Sequence, residues 1–248
     1  MGDQNRAIGF DRKIDLGWIE MTAACAATGL SAKEINVLVD EFLKGLVRGE
    51  DARRKTKNLL TGIWVRVSVD VQAYRDAGLG LLREVEGKDR LAIHWGMCIA
   101  TYPFFSDVVS QIGRLNSLQG DMSLEQIRRR IIEKYGDRER VHRSVRHVVQ
   151  SLRTWEVLLS KKSGLYSVHT PIRLTNPNLE AWLVESCFHA APNTRIPFNQ
   201  LATVNACFPF SLSLELDDLR LNPRLDVFRQ ALDTDIVSLK RCGISTME

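Results

Sequence analysis

SLEQIRRRIIEKYGDRERVHRSVRHVVQSLRTWEVLLSKKSGLYSV, residues 123–168, is the stretch whose reading decides the fold. Ser123 stands three residues before Gln126, the spacing at which a hydroxyl and a side-chain amide cap a helix reciprocally. Leu124, Ile127, Ile131 and Tyr135 then share one face of that helix. Gly136 ends it, because glycine tolerates the backbone conformations that follow a helix C-terminus. Asp137 is the expected cap of a longer helix, in which Val141, Val145, Val148, Leu152 and Trp155 recur at intervals of four, three, four and three. Val157 to Leu159 reads as a strand, Ser160 to Gly164 as a turn, and Leu165 to Val168 as the returning strand. Upstream, Gly120-Asp121 makes a turn, and Val108, Ile112, Leu115 and Leu118 form a buried stripe on a helix opening near Phe104.

A supporting helix, a second helix, a tight turn, a third helix and a hairpin match the plan of a winged helix-turn-helix, expected between about Phe104 and His169. In that plan the third helix enters the major groove of DNA. Its apolar residues fix the inner side, so Arg143, Arg146, His147 and Gln150 are expected outside, with Arg138, Arg140 and His142 near its start. Guanidinium groups suit both tasks there, holding phosphates by charge and the guanine edge by two parallel hydrogen bonds. Arg128, Arg129 and Arg130 on the second helix would cross the backbone, at least one of them pointing inward or sideways. Lys161 and Lys162, at the hairpin tip, would reach the minor groove or its phosphates. Six to eight such contacts imply that log affinity falls with log salt at a slope of about −5 to −7.

Charge distribution agrees with this expectation. Eleven basic and six acidic residues fall within residues 121–162, a surplus of five, whereas the whole chain of 248 residues carries a formal +4. The remainder is therefore within one charge of neutral, and a phosphate backbone rewards such concentration.

Outward from this segment the chain reads as a helix-rich body. Ile14 to Ala27 is apolar. Ser31 and Glu34 make a second capping box, opening a helix with Ile35, Leu38, Val39, Phe42 and Leu46 on one face. A further helix starts near Asp51, with Arg53, Arg54, Lys55 and Lys57 at its beginning and Leu59, Leu60, Ile63 and Val67 apolar. The helices between Ile14 and Leu46 could form a degenerate helix-turn-helix. Lys88 to Thr101 is helical and stops before Pro103, since a residue preceding proline resists the α conformation. Asn176-Pro177 caps a helix running to about Ala190. A short helix covers Phe198 to Ala206, a strand carries Leu212, Leu214 and Leu216, and Leu225–Arg229 with Ile236–Leu239 closes a hairpin. The expected class is mainly α with small β-hairpins (α+β), in which winged helix-turn-helix units pack with additional helices. It divides into a helical region 1–88, the central winged helix 89–170 and a small α+β unit 171–248, itself a winged-helix variant on one reading.

Several function classes find no support. The longest nearly uncharged stretch, Leu91 to Ser106, is shorter than the roughly 20 apolar residues a bilayer requires. The first residues, MGDQNRAIGFDRK, lack the apolar region of a secretory signal, so a cytoplasmic protein without a membrane partner is expected. Cys25, Cys98, Cys187, Cys207 and Cys242 are odd in number and widely spaced; we expect reduced thiols, four of them buried and Cys242 exposed. There is no GxxxxGK[ST] loop, GxSxG elbow or HExxH pair. Asp217-Asp218 reads as capping or solvated, Gly78-Leu79-Gly80 lacks the context of a dinucleotide site, and His142 and His147 are badly spaced for one metal. His94, Trp95, Phe104 and Phe105 read as core, while Tyr102 is open between core and site. His189 beside Cys187 is no site. No cofactor, no metal and no enzymatic activity are expected.

Three stretches resemble the BrxA family of bacterial BREX (bacteriophage exclusion) proteins or a sister family of phage-defence islands: TYPFFSDVV at 101–109, the helix-turn-helix with its hairpin at 123–168, and FPFSLSLELDDLRLNPRLDVFRQALDTDIVSL at 208–239. The resemblance implies a DNA-binding accessory protein with tandem winged helices, acting beside methyltransferase and ATPase partners, and it carries over no catalytic residues. The expected partners are thus double-stranded DNA and other defence-system proteins. Two rival readings stand beside it: a protein-docking subunit of a complex, and a transcriptional regulator that senses a ligand through its helical N-terminal region.

Overall fold

The computed structural model describes residues 7–174, 176–191, 194–230 and 234–240; Cys242 lies outside them. The chain is mainly helical with small sheets. It opens with an extended strap, residues 7–15, then α1 (Leu16–Ala26), α2 (Ala32–Lys44), α3 (Glu50–Trp64), α4 (Val69–Glu84), α5 (Asp89–Thr101) and α6 (Pro103–Gln119). There follow β1 (Met122–Ser123), α7 (Leu124–Tyr135), α8 (Glu139–Thr154), β2 (Leu158–Ser160) and β3 (Leu165–Val168). The last part holds β4 (Ile172–Arg173), α9 (Pro177–Ala190), β5 (Ile196–Pro197), α10 (Phe198–Leu201), β6 (Phe210–Ser211), α11 (Leu216–Leu221), β7 (Leu225–Gln230) and β8 (Thr234–Leu239). Three small sheets result. They are antiparallel β1-β3-β2, parallel β4-β6 and antiparallel β5-β8-β7.

Local chemistry sets most helix starts. Both capping boxes form. The Ser31 amide donates to Glu34 Oε2 at 2.8 Å and the Glu34 amide to Ser31 Oγ at 3.3 Å. The Ser123 amide donates to Gln126 Oε1 at 2.8 Å and the Gln126 amide to Ser123 Oγ at 3.1 Å. Asn176 caps α9 by accepting from the amides of Asn178 and Leu179, with Pro177 in the first turn. The hairpin expected at the end of the chain is β7–β8, in register from Leu225↔Leu239 to Gln230↔Thr234.

One buried cluster runs from Ile8 to Val237. At its centre α5, buried along Leu91 to Ala100, packs against α9. The contact is set by Trp182 of α9. Its indole stacks on Tyr74 of α4 at 4.2 Å and 6°, and its Nε1 donates to the Tyr74 carbonyl at 3.0 Å. Two glycines make room for it. A Cβ at Gly78 would lie 2.6 Å from the indole, and one at Gly96 would lie 2.6 Å from both the indole and Tyr74 Oη.

Several expectations fail. On α2, Ile35, Val39 and Leu43 are buried, while Leu38, Phe42 and Leu46 stand exposed, because the helix is rotated to present a narrower stripe to α1 and α3. Leu118, at the last turn of α6, is exposed rather than part of the buried stripe. Leu212 and Leu214 lie outside strand, and Leu216 opens α11, whose first turn is capped by Glu215 and Asp218 instead of pairing with a neighbour strand. Asp217-Asp218 thus includes a helix-capping carboxylate, as expected. α4 had no sequence expectation of its own, its apolar positions being interrupted by Gly78 and Gly80.

Gly96→Ala tests the close approach of α5 to α9. Alanine favours the helix by about 1 kcal/mol, but overpacking against a fixed indole costs about 1–3 kcal/mol. The expected outcome is a less stable protein in denaturant melts. A stabilised variant would show that Trp182 can move aside.

Candidate nucleic-acid interface

α8 owes its orientation to a continuous apolar side. Val141, Val145, Val148, Leu152 and the following Trp155 are all buried, as the four-three-four-three spacing predicts. Its C-terminus closes with Glu156 at φ 59°, the Val157 amide donating to the Leu152 carbonyl at 2.9 Å and the Glu156 amide to the Arg153 carbonyl at 3.1 Å. This reciprocal pair is the usual way a helix end satisfies its last carbonyls. Its start differs from the expectation. Arg138, not Asp137, occupies the cap position and makes no side-chain cap bond; the Asp137 carboxylate instead takes His142 Nε2 at 2.5 Å.

The outer side of α8 is divided by the strap. The Ile14 amide donates to Ser151 Oγ at 3.0 Å, and Trp155 Nε1 donates to the Ile14 carbonyl at 3.0 Å. Nearer the start of α8, Arg140 donates to the Ile8 carbonyl at 3.0 Å and lies 3.3 Å from Asp11. The strap thus runs along the flank carrying Arg140, Ser144, His147 and Ser151. His147 is half-buried beside it, its basicity lowered by burial and by the nearby Arg12 cation.

The opposite part of the outer surface stays open. Arg143, Arg146 and Arg153 are exposed and Gln150 is partly so. At intervals of three, four and three they form one strip along the helix. Arg143 faces Glu139 at 3.8 Å, a loose exposed pair. Arg146 and Arg153 have no carboxylate partner among the described residues. Arg153, outside the set expected from the sequence, extends the strip at its far end.

The remaining candidates are scattered around this strip. On α7, Arg129 and Arg130 are exposed, whereas Arg128 is largely covered and lies 3.7 Å from Glu125, the sideways member expected of the three. Arg138 is partly buried, with Nε and Nη2 lacking partners. The hairpin turn follows its expected course, Gly164 taking φ +75°. Lys161 is tied to Asp121 at 2.6 and 2.7 Å, leaving Lys162 as the charge of the tip without a carboxylate partner among the described residues.

Elsewhere, the buried titratable groups bind the fold together. His94 is fully buried on α5 and shares Glu20 of α1 with Arg90, its Nε2 lying 2.5 Å from Glu20 Oε2. The imidazole hydrogen bond, opposed by partial burial and aided by Arg90, holds the Glu20 carboxyl down at about 2. Burial lowers His94, so the neutral ring donates to the carboxylate. Glu185 of α9, fully buried, accepts from Arg224 and Asn222 and lies near His189, holding α9 to the turn before β7. Tyr102 proves to be core, its hydroxyl donating to the Leu59 carbonyl at 3.0 Å and its ring covering Gly9 and Gly62. The thiols of Cys25, Cys98, Cys187 and Cys207 are free, with Cys187 and Cys207 at 3.7 Å. No cluster of three or more metal-ligating side chains occurs among the described residues, nor any helix long and apolar enough to cross a membrane.

No family model matches the chain, and no curated protein or solved structure matches it either.

Two outcomes follow from these contacts. Ser151→Ala leaves the buried Ile14 amide without an acceptor, at a cost of about 1–3 kcal/mol, and amide exchange at Ile14 is expected to quicken more than exchange in α5. Equal acceleration in both would mean that the strap is not separately anchored. For acid stability, His94 is lowered in the fold, so the stability tied to its neutral form declines as pH falls below its ordinary value near 6.5. The Glu20 contribution is complete above its ordinary 4.5 and lost as pH falls toward about 2. Glu20→Gln is expected to flatten the pH 4.5 to 2 limb of thermal melts; an unchanged limb would place the acid sensitivity elsewhere.

Proposed function

We propose that residues 103–168 form a winged helix-turn-helix and that the protein binds double-stranded DNA through it, acting without catalysis. The order α6, β1, α7, α8, β2, β3, with β1 and the hairpin in one antiparallel sheet, supports the fold reading. The observation that carries the binding reading is the open strip on α8. Arg143, Arg146, Gln150 and Arg153 face solvent on the side opposite the buried valines, and two of the three arginines have no carboxylate partner among the described residues. Arginine and glutamine are the side chains that read guanine and adenine edges in the major groove. Arg129 on α7 and Lys162 on the hairpin flank the strip in sequence order as backbone contacts would. The strap removes Arg140 and His147 from the groove-facing set, since both are engaged at its edge. We infer from the resemblance of three stretches to the BREX accessory family that the setting is a prokaryotic phage-defence system.

Arg143→Ala with Arg146→Ala is expected to weaken duplex binding by at least about tenfold, read by fluorescence anisotropy at fixed salt. In the unsubstituted protein, Arg129, Arg143, Arg146, Arg153 and Lys162 give a slope of log affinity on log salt of about −4 to −5. Unchanged affinity in the double variant, with the fold intact by circular dichroism, would assign the strip to protein docking instead.

A further inference from the structure

The flank of α8 that the strap takes away from the groove borders an open pocket of about 310 Å³ between the strap, α3 and α8. Its lining carries more positive than negative charge. Arg12 comes from the strap, Lys55 from α3, and Arg140 and Arg143 from α8, with Asp11 the carboxylate of the lining itself and Asp51 and Glu139 at its edge, 2.7 Å from Lys55 and 3.8 Å from Arg143. Ser144 and His147 of α8 complete the wall.

Three buried polar atoms of this lining have no hydrogen-bond partner: Arg12 Nε, Ser144 Oγ and His147 Nδ1. Ser144 is fully buried. Each of the three groups can donate: the guanidinium N–H always, the hydroxyl by rotation, and the imidazole in its Nδ1–H tautomer. Buried donors without partners are costly, so an acceptor seated among them is favoured. The occupant must accept several hydrogen bonds and carry negative charge. A carboxylate offers two oxygens in a plane, whereas donors reaching from a strap and a helix, with cations on three sides, suit a tetrahedral oxyanion.

We propose that this pocket is a phosphoryl-binding site, with Arg12, Ser144 and His147 donating to the oxyanion and Lys55, Arg140 and Arg143 neutralising it. The phosphoryl group has two sources: a free phosphate or phosphomonoester, or a phosphodiester of a duplex lying along α8. The site does not depend on the duplex reading, because the residues that distinguish it, Arg12, Lys55 and Ser144, are not on the open strip.

The test titrates inorganic phosphate into the full chain by isothermal calorimetry, with chloride at matched ionic strength as the blank, and repeats it for Arg12→Gln, Lys55→Gln, Ser144→Ala and Arg146→Ala. Thermal melts without phosphate check that each variant folds. Lys55→Gln, a change on the α3 surface, guards against loss of folding in the buried variants. Saturable phosphate binding weakened about tenfold by the first three substitutions and unaffected by Arg146→Ala is the expected result for a free phosphate or monoester. Absence of phosphate binding, with duplex affinity lowered by Arg12→Gln and Ser144→Ala as well as by Arg146→Ala, assigns the same site to a backbone phosphodiester. Neither ligand responding to Arg12→Gln, Lys55→Gln or Ser144→Ala in folded protein overturns the site. A loss of duplex affinity confined to Arg146→Ala would then leave the groove-facing strip standing without it.

Discussion

The indole of Trp155 donates to the carbonyl of Ile14, 141 residues away, and the amide of that same Ile14 donates to Ser151. These two bonds at one strap residue fix how α8 is shown to solvent. An indole N–H buried at the end of a helix needs an acceptor, and a strap amide passing beside it needs one as well. Each is met by the other element, so neither polar group is left bare inside the core. Around them the rings interlock: Trp155 meets Trp95 at 6.2 Å and Phe105 at 6.0 Å, and Phe105 meets Phe10 of the strap at 5.0 Å. Strap, α5, α6 and the end of α8 thus close on one aromatic cluster. A slip of the strap would uncover the flank of α8 that carries Ser151 and His147.

Such anchoring changes what the basic helix can be. An isolated amphipathic helix with arginines on its polar half offers all of them to a ligand. Here the strap lies along one edge, so the polar half is split in two. One part remains a solvent-facing strip of long side chains, in which Arg143 alone lies near a carboxylate among the described residues. The other is bordered by Asp11 and Arg12 and becomes the wall of an open polar pocket. The two parts have different physics. Charges on the strip sit in water, and their field reaches about a Debye length and weakens with salt. Beside the strap, buried Ser144 and half-buried His147 add polar groups for which hydrogen-bond geometry matters as well as charge.

How far the sequence carried this picture follows from the range of the forces involved. Capping boxes at Ser31 and Ser123, the apolar spacing of α8 and the turn at Gly164 are decided within a few residues, and each is where the pattern places it. Errors arose where the decision is made at a distance. Leu38, Phe42 and Leu46 share a helical row that periodicity marks as core, yet only the neighbours α1 and α3 decide which row is covered, and they chose Ile35, Val39 and Leu43. Leu212, Leu214 and Leu216 alternate as a half-buried strand does, but the carboxylates at Glu215 and Asp218 cap a helix there instead. The flanking role of Arg12 and Lys55 carried no local sign at all. They meet α8 only because the strap crosses it, and the basic cluster 53–57 gave the nearest hint.

Charge shows the same limit and then passes beyond it. Composition places a surplus of five positive charges within residues 121–162 but says nothing about which are free. Among the described residues, Arg128, Arg130, Lys134, Arg140, Arg143 and Lys161 each lie against a carboxylate, two of those carboxylates, Asp11 and Asp107, coming from outside the segment. Arg129, Arg138, Arg146, Arg153 and Lys162 are without such a partner. Arg138 is partly buried, so the open surplus gathers on the outer strip of α8, on α7 and at the hairpin tip. Exposed ion pairs contribute little, so Arg143 at 3.8 Å from Glu139 can exchange that carboxylate for a phosphate at small cost. Arg140 cannot do so as cheaply, because it also holds the Ile8 carbonyl and through it the strap. The protein therefore divides its arginines by how firmly each is bound at home: those on the strip are held loosely or by no carboxylate, and Arg140 is fastened to the strap.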